Sequence, residues 1–172
     1  MSGTSDRARE VYETGLRNQH GVENQARELL ERQLERLENY PELSARMRQH
    51  LAETEEQARR LEELLSQLGT SHSAVKDTVM SFVGNMAALM HTTAPDEVIK
   101  NTFANFAFEN YEIAAYKSLL TLAEATGHNA ALTALRQSLQ EEEAMARWID
   151  EHIAATTLKF VGRSAAGQTA GV

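Results

Sequence analysis

One stretch of the chain, Phe106 to Tyr116, combines carboxylates with an apolar helical face. On a helical projection, the apolar arc of this region consists of Phe108, Ile113, Leu119, Leu120 and Ala123. Glu109 falls near the centre of that arc, and Glu112 lies within it at one side. A carboxylate on a core-facing surface is unfavourable unless it is protonated, hydrogen-bonded or bound to a cation. The stretch therefore predicts buried acids that need one of these three partners.

Acidic residues also interrupt the apolar stripes of the other helical segments. Glu23 lies within the stripe of the first segment, and Glu53 lies at the edge of the stripe of the second. Among the three consecutive acids 141–143, only Glu142 faces the middle of the last stripe. Each position is near the middle of its segment, so a four-helix bundle would bring them to one level. The candidate metal ligands are Glu23, Glu53, Glu109, Glu112 and Glu142.

Several carboxylates at one level repel each other strongly, and a cation relieves that repulsion. Oxygen-rich ligation with at most one imidazole suits iron or manganese better than zinc. Two carboxylate-bridged metal ions are the natural occupants of such a bundle core. The pattern therefore predicts a di-iron or dimanganese centre.

Four further polar residues rank behind the acids as site residues. We interpret His50 as a hydrogen-bonded core histidine in preference to a ligand, because most inward-facing histidines have that role. Thr54 and Gln57 follow it on the same stripe, and either can bond a ligand or a neighbouring helix. Tyr116 comes one turn after Glu112, so we expect a buried tyrosine that can bond a ligand carboxylate.

The periodicity of apolar residues predicts four long helices and a long connection. The expected helices are 6–39, 41–68, 95–126 and 129–156. Short turns join the first two and the last two, so each pair is an antiparallel hairpin. The connection 70–94 is long enough to cross the bundle, and its apolar part, 75–90, predicts a short extra helix. The expected fold is an all-α four-helix bundle over 6–158, with flexible ends at 1–5 and 159–172.

Composition excludes several classes of function. The formal net charge of -8 disfavours nucleic acids and anionic membranes as partners, but it does not repel metal ions. The chain has no cysteine, which excludes disulfides, thiolate metal sites and a cysteine nucleophile. No apolar run is long enough to span a bilayer, and the N-terminus lacks a signal-peptide pattern. We therefore expect a cytoplasmic protein.

Four blocks of residues carry a family resemblance. They are 22–25, 43–61, 109–127 and 139–142. The third block, which begins Glu109-Asn-Tyr-Glu-Ile-Ala-Ala-Tyr116, is the most specific. Together the blocks resemble the YciF-like family of small bacterial stress-associated proteins in the ferritin-like superfamily. The resemblance implies a ferritin-like bundle with a di-iron or dimanganese centre, commonly a homodimer, and a role in the stress response.

The chain departs from related bundles at several positions. Di-iron carboxylate bundles commonly carry Glu-x-x-His on two helices, but here Glu56 follows Glu53 and Met145 follows Glu142 at that spacing. Ala146 stands where many relatives have an acid or a histidine, and His20 stands where a tyrosine is usual. Three alternatives follow: a centre with few ligands, a centre for one metal ion, or a degenerate site.

Two functional hypotheses from different classes are consistent with these patterns. The first is a metal-dependent oxidoreductase that oxidises Fe(II) or removes peroxide at a carboxylate-bridged pair of ions. The second is a non-catalytic helical module that dimerises through 75–91, with protonated or water-bound acids and a degenerate metal site. A ferritin-type storage cage is less favoured, because we find no short fifth helix after Ile153.

Overall fold

The computed structural model describes residues 2–70 and 96–170. Within these ranges the chain forms four long α-helices and one 3₁₀ turn at Asn129–Ala131. The α-helices are α1 (Ser2–Leu34), α2 (Pro41–Gln67), α3 (Glu97–Ala125) and α4 (Leu132–Ala165). This architecture confirms the predicted all-α four-helix bundle. The predicted short helix at 75–90 lies outside the described residues.

The order of the helices follows from contacts along their lengths. Gln33 near the end of α1 bonds Asn105 in the first half of α3, whereas Glu23 bonds Tyr116 further along α3. These contacts show that α1 and α3 are antiparallel. Because α2 also runs antiparallel to α1, α2 and α3 are parallel, as the long connection predicts.

Proline and glycine define the predicted helix boundaries. Pro41 occupies the start of α2, where a missing amide hydrogen costs nothing. Gly69 and Gly127 follow α2 and α3 with φ of 70° and 75°, a conformation that residues with a side chain rarely adopt. After α3, the amide of His128 donates to the carbonyl of Ala123 at 2.8 Å, which closes the helix end.

The core consists of two apolar clusters with a polar layer between them. The cluster nearer the start of α1 includes Leu16, Leu61, Tyr116, Leu119 and Leu135. The cluster at the other end includes Leu30, Leu43, Met47, Met145 and Ile149. The buried polar residues between these positions include Gln19, Glu23, His50, Thr54, Gln57, Glu109, Glu112, Ser138 and Glu142. Both ends of the polar layer are therefore closed by apolar packing.

Three predicted helix ends differ from the structure. Helix α1 begins at Ser2 instead of residue 6, and it ends at Leu34 instead of residue 39. Helix α4 continues to Ala165, so residues 159–165, predicted as part of a flexible tail, are helical. The extension places Phe160 against the second apolar cluster, and the hydroxyl of Tyr40 donates to the carbonyl of Ala170. Tertiary contacts of this kind are not visible in a periodicity pattern.

Candidate metal centre

Five side chains converge in the polar layer. Their ligand atoms fall into two groups, each with all atoms within 4.8 Å of one another. The first group is His50, Glu109 and Glu142, and the second group is Glu23, Glu112 and Glu142. We call these the His50 position and the Glu23 position. Because Glu142 belongs to both, the two positions adjoin and share one carboxylate.

Each helix contributes to the centre from its buried face. Helix α3 supplies Glu109 and Glu112, which lie three residues apart and so project from neighbouring points of one face. Helices α1, α2 and α4 supply Glu23, His50 and Glu142. All five side chains are almost fully buried, with at most 3% exposure. Four buried carboxylates at one level are rare in a protein core unless a partner compensates them.

Donors outside the centre fix the orientation of two carboxylates. The side-chain amide of Gln19 donates to Glu23 Oε1 and to Glu112 Oε1, at 3.0 Å in both cases. The hydroxyl of Tyr116 donates to the same oxygen of Glu23 at 2.5 Å. These bonds hold Oε1 of Glu23 and leave Oε2 available to a ligand. Tyr116 is thus a buried tyrosine whose hydroxyl bonds Glu23 of α1, and it does not bond Glu112 one turn before it.

Several buried oxygens of the centre accept no hydrogen bond from the described residues. They are Glu23 Oε2, Glu109 Oε2, Glu142 Oε1 and Glu142 Oε2. Glu109 Oε2 lies 3.1 Å from Nε2 of His50, which is an ion-pair distance, but the two atoms do not have the geometry of a hydrogen bond. Thr54 Oγ1 and Gln57 Oε1 are also buried and without a hydrogen-bond partner there. A buried oxygen without a partner costs roughly 1–3 kcal/mol, and more if it is charged. The centre therefore has acceptor capacity that the described protein groups leave unused.

From α2, the side chain that belongs to one of the two groups is His50, which was placed in the second rank, and not Glu53, which was a predicted ligand. His50 Nε2 lies 3.1 Å from Glu109 Oε2 and 3.6 Å from Glu142 Oε2, so the imidazole faces the centre. Glu53 belongs to neither group. Its Oε2 lies 3.0 Å from the other ring nitrogen of His50, Nδ1. His50 lies on the apolar stripe of α2 and Glu53 only at its edge, so the observed rotation of α2 turns the imidazole and not the carboxylate into the core.

Glu53 is itself held in place by neighbours on α2. Arg46 forms an ion pair with Glu53 Oε2 at 3.1 Å, and Gln49 donates to Oε1 at 2.8 Å. Burial acts to raise the pKa of Glu53, but the bonds from His50 and Gln49 and the charge of Arg46 lower it to about 2. Glu53 is thus a fixed anion on the outer side of the imidazole.

Two glutamines lie in the polar layer beside the carboxylates, Gln19 on α1 and Gln57 on α2. Gln19 was not a predicted site residue, although its place one turn before Glu23 was a usable signal. Gln57 and Thr54 lie in the polar layer as expected, but neither contacts a carboxylate of the two positions through a hydrogen bond in the part of the chain described. Instead, the amide of Gln57 donates to Glu141 at 3.0 Å.

Burial and mutual repulsion perturb the pKa values of the centre. Burial raises the pKa of Glu23 to about 7. Burial, followed by the charges of neighbouring carboxylates, raises the pKa of Glu112 and Glu142 well above the usual range. Burial opposes ionisation of Glu109 as well, but the nearby His50 lowers the pKa of this carboxyl. Burial lowers the pKa of His50, yet Glu109 and Glu53 outweigh it and raise the pKa to about 9.

Two surface pockets border the centre. A pocket of about 540 Å³ between α1 and α3 is lined in part by Gln19, Tyr111 and Leu119. A groove between α2 and α4 of about 670 Å³ is lined in part by Glu53 and Trp148. Gln19 and Glu53 each bond a side chain of the centre. Each pocket therefore shares one lining residue with the set of side chains that bond the centre.

Comparison with known proteins gives the family. Residues 7–162 match the family described as Domain of unknown function (DUF892). A solved structure of the Escherichia coli stress protein YciF is also similar, with 22% identity, a TM-score of 0.74 and coverage of 86% of this chain and 94% of that chain. This chain belongs to the YciF-like DUF892 family.

Two further solved structures resemble this YciF-like chain. A protein from Xanthomonas campestris is 31% identical, with a TM-score of 0.78 and coverage of 92% of this chain and 99% of that one. YcfI from Rhodopseudomonas palustris, described as a structural protein, is 26% identical, with a TM-score of 0.73 and coverage of 83% and 92%. Among the helices described for this family member, none has the length and apolar character needed to cross a bilayer.

Proposed function

We propose that this chain is a carboxylate-bridged di-metal protein that oxidises Fe(II) or removes peroxide as part of a stress response. The ligands are His50, Glu23, Glu109, Glu112 and Glu142. The observation that carries the proposal is the set of buried carboxylate oxygens that accept no hydrogen bond from the described residues, all of them on proposed ligands. Metal ions would coordinate these oxygens and remove the cost of burying them.

The charge of the centre supports two divalent ions. Four ionised carboxylates carry four negative charges, and neutral His50 adds none. Two divalent cations balance that charge, whereas one leaves an excess that protons must neutralise. The shared position of Glu142 also favours two ions, because one carboxylate can then bridge them.

The donor set selects the class of metal ion. Four carboxylates and one imidazole suit iron or manganese better than zinc, which favours thiolate and imidazole ligands in closed sites. When bound, such ions supply the redox change that carboxylate and imidazole side chains cannot supply themselves.

The chain's own residues would orient the ligands of the ions and exclude bulk water from the centre. Gln19 and Tyr116 donate to Oε1 of Glu23, and Gln19 also donates to Oε1 of Glu112. Oε2 of Glu23 accepts no hydrogen bond from the described residues and would bind an ion. Glu53 would accept a hydrogen bond from Nδ1 of His50. The lone pair of Nε2 would then face the centre and bind an ion. The apolar clusters on either side exclude bulk water. Small oxidants would approach from the pocket that Gln19 lines.

The proposed biological role rests on the family. YciF from Escherichia coli is described as a stress protein. Fe(II) and peroxide together are damaging, so a protein that consumes either one suits a stress response. Cytoplasmic location and a homodimer remain predictions, and the segment 75–91 proposed for dimerisation lies outside the described residues.

Metal-dependent thermal stability tests the proposal. Mn(II) added to metal-free protein should raise the Tm, because an ion that binds only the folded state stabilises it by about 2.7 kcal/mol at a hundredfold excess over Kd. A double variant, Glu109→Gln with Glu142→Gln, should lose this gain because each position loses a carboxylate. A matched control, Glu31→Gln with Glu151→Gln, removes two exposed carboxylates and should keep the gain.

The outcome that would contradict this assignment is equal stabilisation of the wild type and of the buried double variant. No stabilisation of the wild type by Mn(II) or Fe(II) would favour the non-catalytic interaction module. In that case, protons shared among the buried carboxyls would take the place of the ions.

A further inference from the structure

We infer that the His50 position and the Glu23 position are chemically unequal, so that the protein loads its ions in order and can hold two different metals. The His50 position takes the transition ion with the stronger preference for nitrogen, and the Glu23 position takes Mn(II). This inference rests on the proposed function, since it concerns which ion each position accepts.

The first observation is the difference in donor atoms. The His50 position offers one imidazole nitrogen and the carboxylates of Glu109 and Glu142. The Glu23 position offers only carboxylates, from Glu23, Glu112 and Glu142. Imidazole suits zinc, copper, iron and nickel, whereas carboxylate oxygen suits manganese, magnesium and calcium. One shared carboxylate thus joins a mixed nitrogen–oxygen position to an all-oxygen one.

The second observation is the difference in supporting contacts. His50 is held from behind by Glu53, which is fixed in turn by Arg46 and Gln49. When the other nitrogen of a ligating imidazole donates a hydrogen bond to a carboxylate, the imidazole binds a metal ion more strongly. Among the described residues, the Glu23 position has no comparable anion behind an imidazole. Its supporting contacts are the hydrogen bonds that Gln19 and Tyr116 donate to Oε1 of Glu23, which orient that carboxylate without adding a nitrogen ligand.

Both observations lead to the same order of affinity. For a given site, affinity rises from Mn(II) through Fe(II) to Co(II). An imidazole with a carboxylate behind it enlarges that rise at the His50 position, whereas the Glu23 position offers carboxylates alone and lacks this nitrogen ligand. The first equivalent of Co(II) should therefore enter the His50 position, and Mn(II) should fill the other position.

Anaerobic titration of metal-free protein with Co(II) tests this inference without any assay of activity. Calorimetry should show two steps, and the visible absorption of Co(II) should differ between the first and second equivalents. Protein with one equivalent of Co(II), then given excess Mn(II) and desalted, should contain about one ion of each metal per chain.

Two variants assign the steps to the positions. His50→Gln should lower the affinity of the first step by at least about tenfold. Replacing a residue that merely supports a metal ligand already costs about that much, and His50 is a proposed ligand itself. Glu23→Gln should weaken the second step and leave the first nearly unchanged. Should His50→Gln fail to fold, Glu53→Gln replaces it. That variant keeps the imidazole and loses its anionic partner, so the first step alone should weaken.

Three results are distinguishable. Two steps that respond separately to the variants support the inference. A single step, or two steps that each variant weakens equally, overturns the inference but leaves the di-metal function intact. Failure of both Co(II) and Mn(II) to bind wild-type protein overturns the proposed function together with the inference.

Discussion

At the scale of single residues, two buried tyrosines allow the effect of one hydroxyl hydrogen bond to be measured. The hydroxyl of Tyr116 donates to Glu23, whereas the hydroxyl of Tyr12 is buried and has no hydrogen-bond partner among the described residues. Both rings belong to the same apolar cluster, and both are at most 1% exposed. The two side chains are therefore buried in the same cluster, but only the hydroxyl of Tyr116 forms a hydrogen bond among the described residues.

Tyr116→Phe should lower the free energy of unfolding by about 1.5–3 kcal/mol, because it removes a hydrogen bond to a carboxyl group. It should also change the binding of the second metal ion, since Glu23 loses an orienting donor. Denaturant unfolding and the Co(II) titration measure the two effects. Tyr12→Phe is the matched control, and it should be neutral or slightly stabilising. Equal losses in both variants would show that the Tyr116 hydroxyl has no special role.

The roles of His50 and Glu53 follow only in part from the sequence. The apolar pattern places both residues inward or nearly inward on α2. Residue type favoured the acid as ligand, but the structure turns the imidazole to the centre and places the carboxylate behind it. The spacing of three residues allows either arrangement. The choice depends on the rotation of α2 against its neighbours, which an apolar stripe fixes only coarsely.

At the scale of elements, the helices and the level of the acids were predictable. Proline and glycine signals gave the turns at Pro41, Gly69 and Gly127 their correct places. The end of α4 is harder to predict, because Phe160 packs against the second apolar cluster and Tyr40 bonds Ala170, just beyond the end of the helix. Helix ends without a proline or glycine signal depend on such tertiary contacts.

The packing of α1 against α3 is the element-scale feature that serves the centre most directly. A Cβ atom at Gly15 would lie 3.0 Å from the side chain of Leu119, so glycine permits the two helices to approach closely there. One turn further along α1, Gln19 reaches Glu112 across the same interface at 3.0 Å. Close approach of these helices therefore brings the bridging amide within reach of both carboxylates.

At the scale of the whole molecule, the buried centre sets the pH dependence of stability. The pKa of Glu23 is raised from 4.5 to about 7 in the folded protein. Its contribution to the free energy of unfolding is therefore complete below pH 4.5 and is lost as pH rises through 7. The pKa of His50 is raised from 6.5 to about 9, so its contribution is lost as pH rises through 9. Both shifts have the same sign.

Metal-free protein should therefore lose stability from these groups as pH rises from about 5 to 9. Protein saturated with Mn(II) should gain more from the metal as pH rises over the same range, because metal binding displaces protons from the ligands. Denaturant unfolding at intervals across this range, with and without Mn(II), measures both trends. Glu23→Gln should flatten the metal-free curve near pH 7. An unchanged curve in this variant would exclude Glu23 as a titrating group.

Two metal ions in the polar layer are the central proposal for this molecule, and the metal content per chain tests it most directly. Protein purified without chelators or immobilised metal, then loaded anaerobically with Fe(II) or Mn(II) and desalted, is analysed by elemental mass spectrometry. We predict about two ions per wild-type chain, as expected for a carboxylate-bridged pair, and far fewer for Glu109→Gln with Glu142→Gln. Wild-type protein without retained metal, or a double variant that retains as much as wild type, would contradict the account.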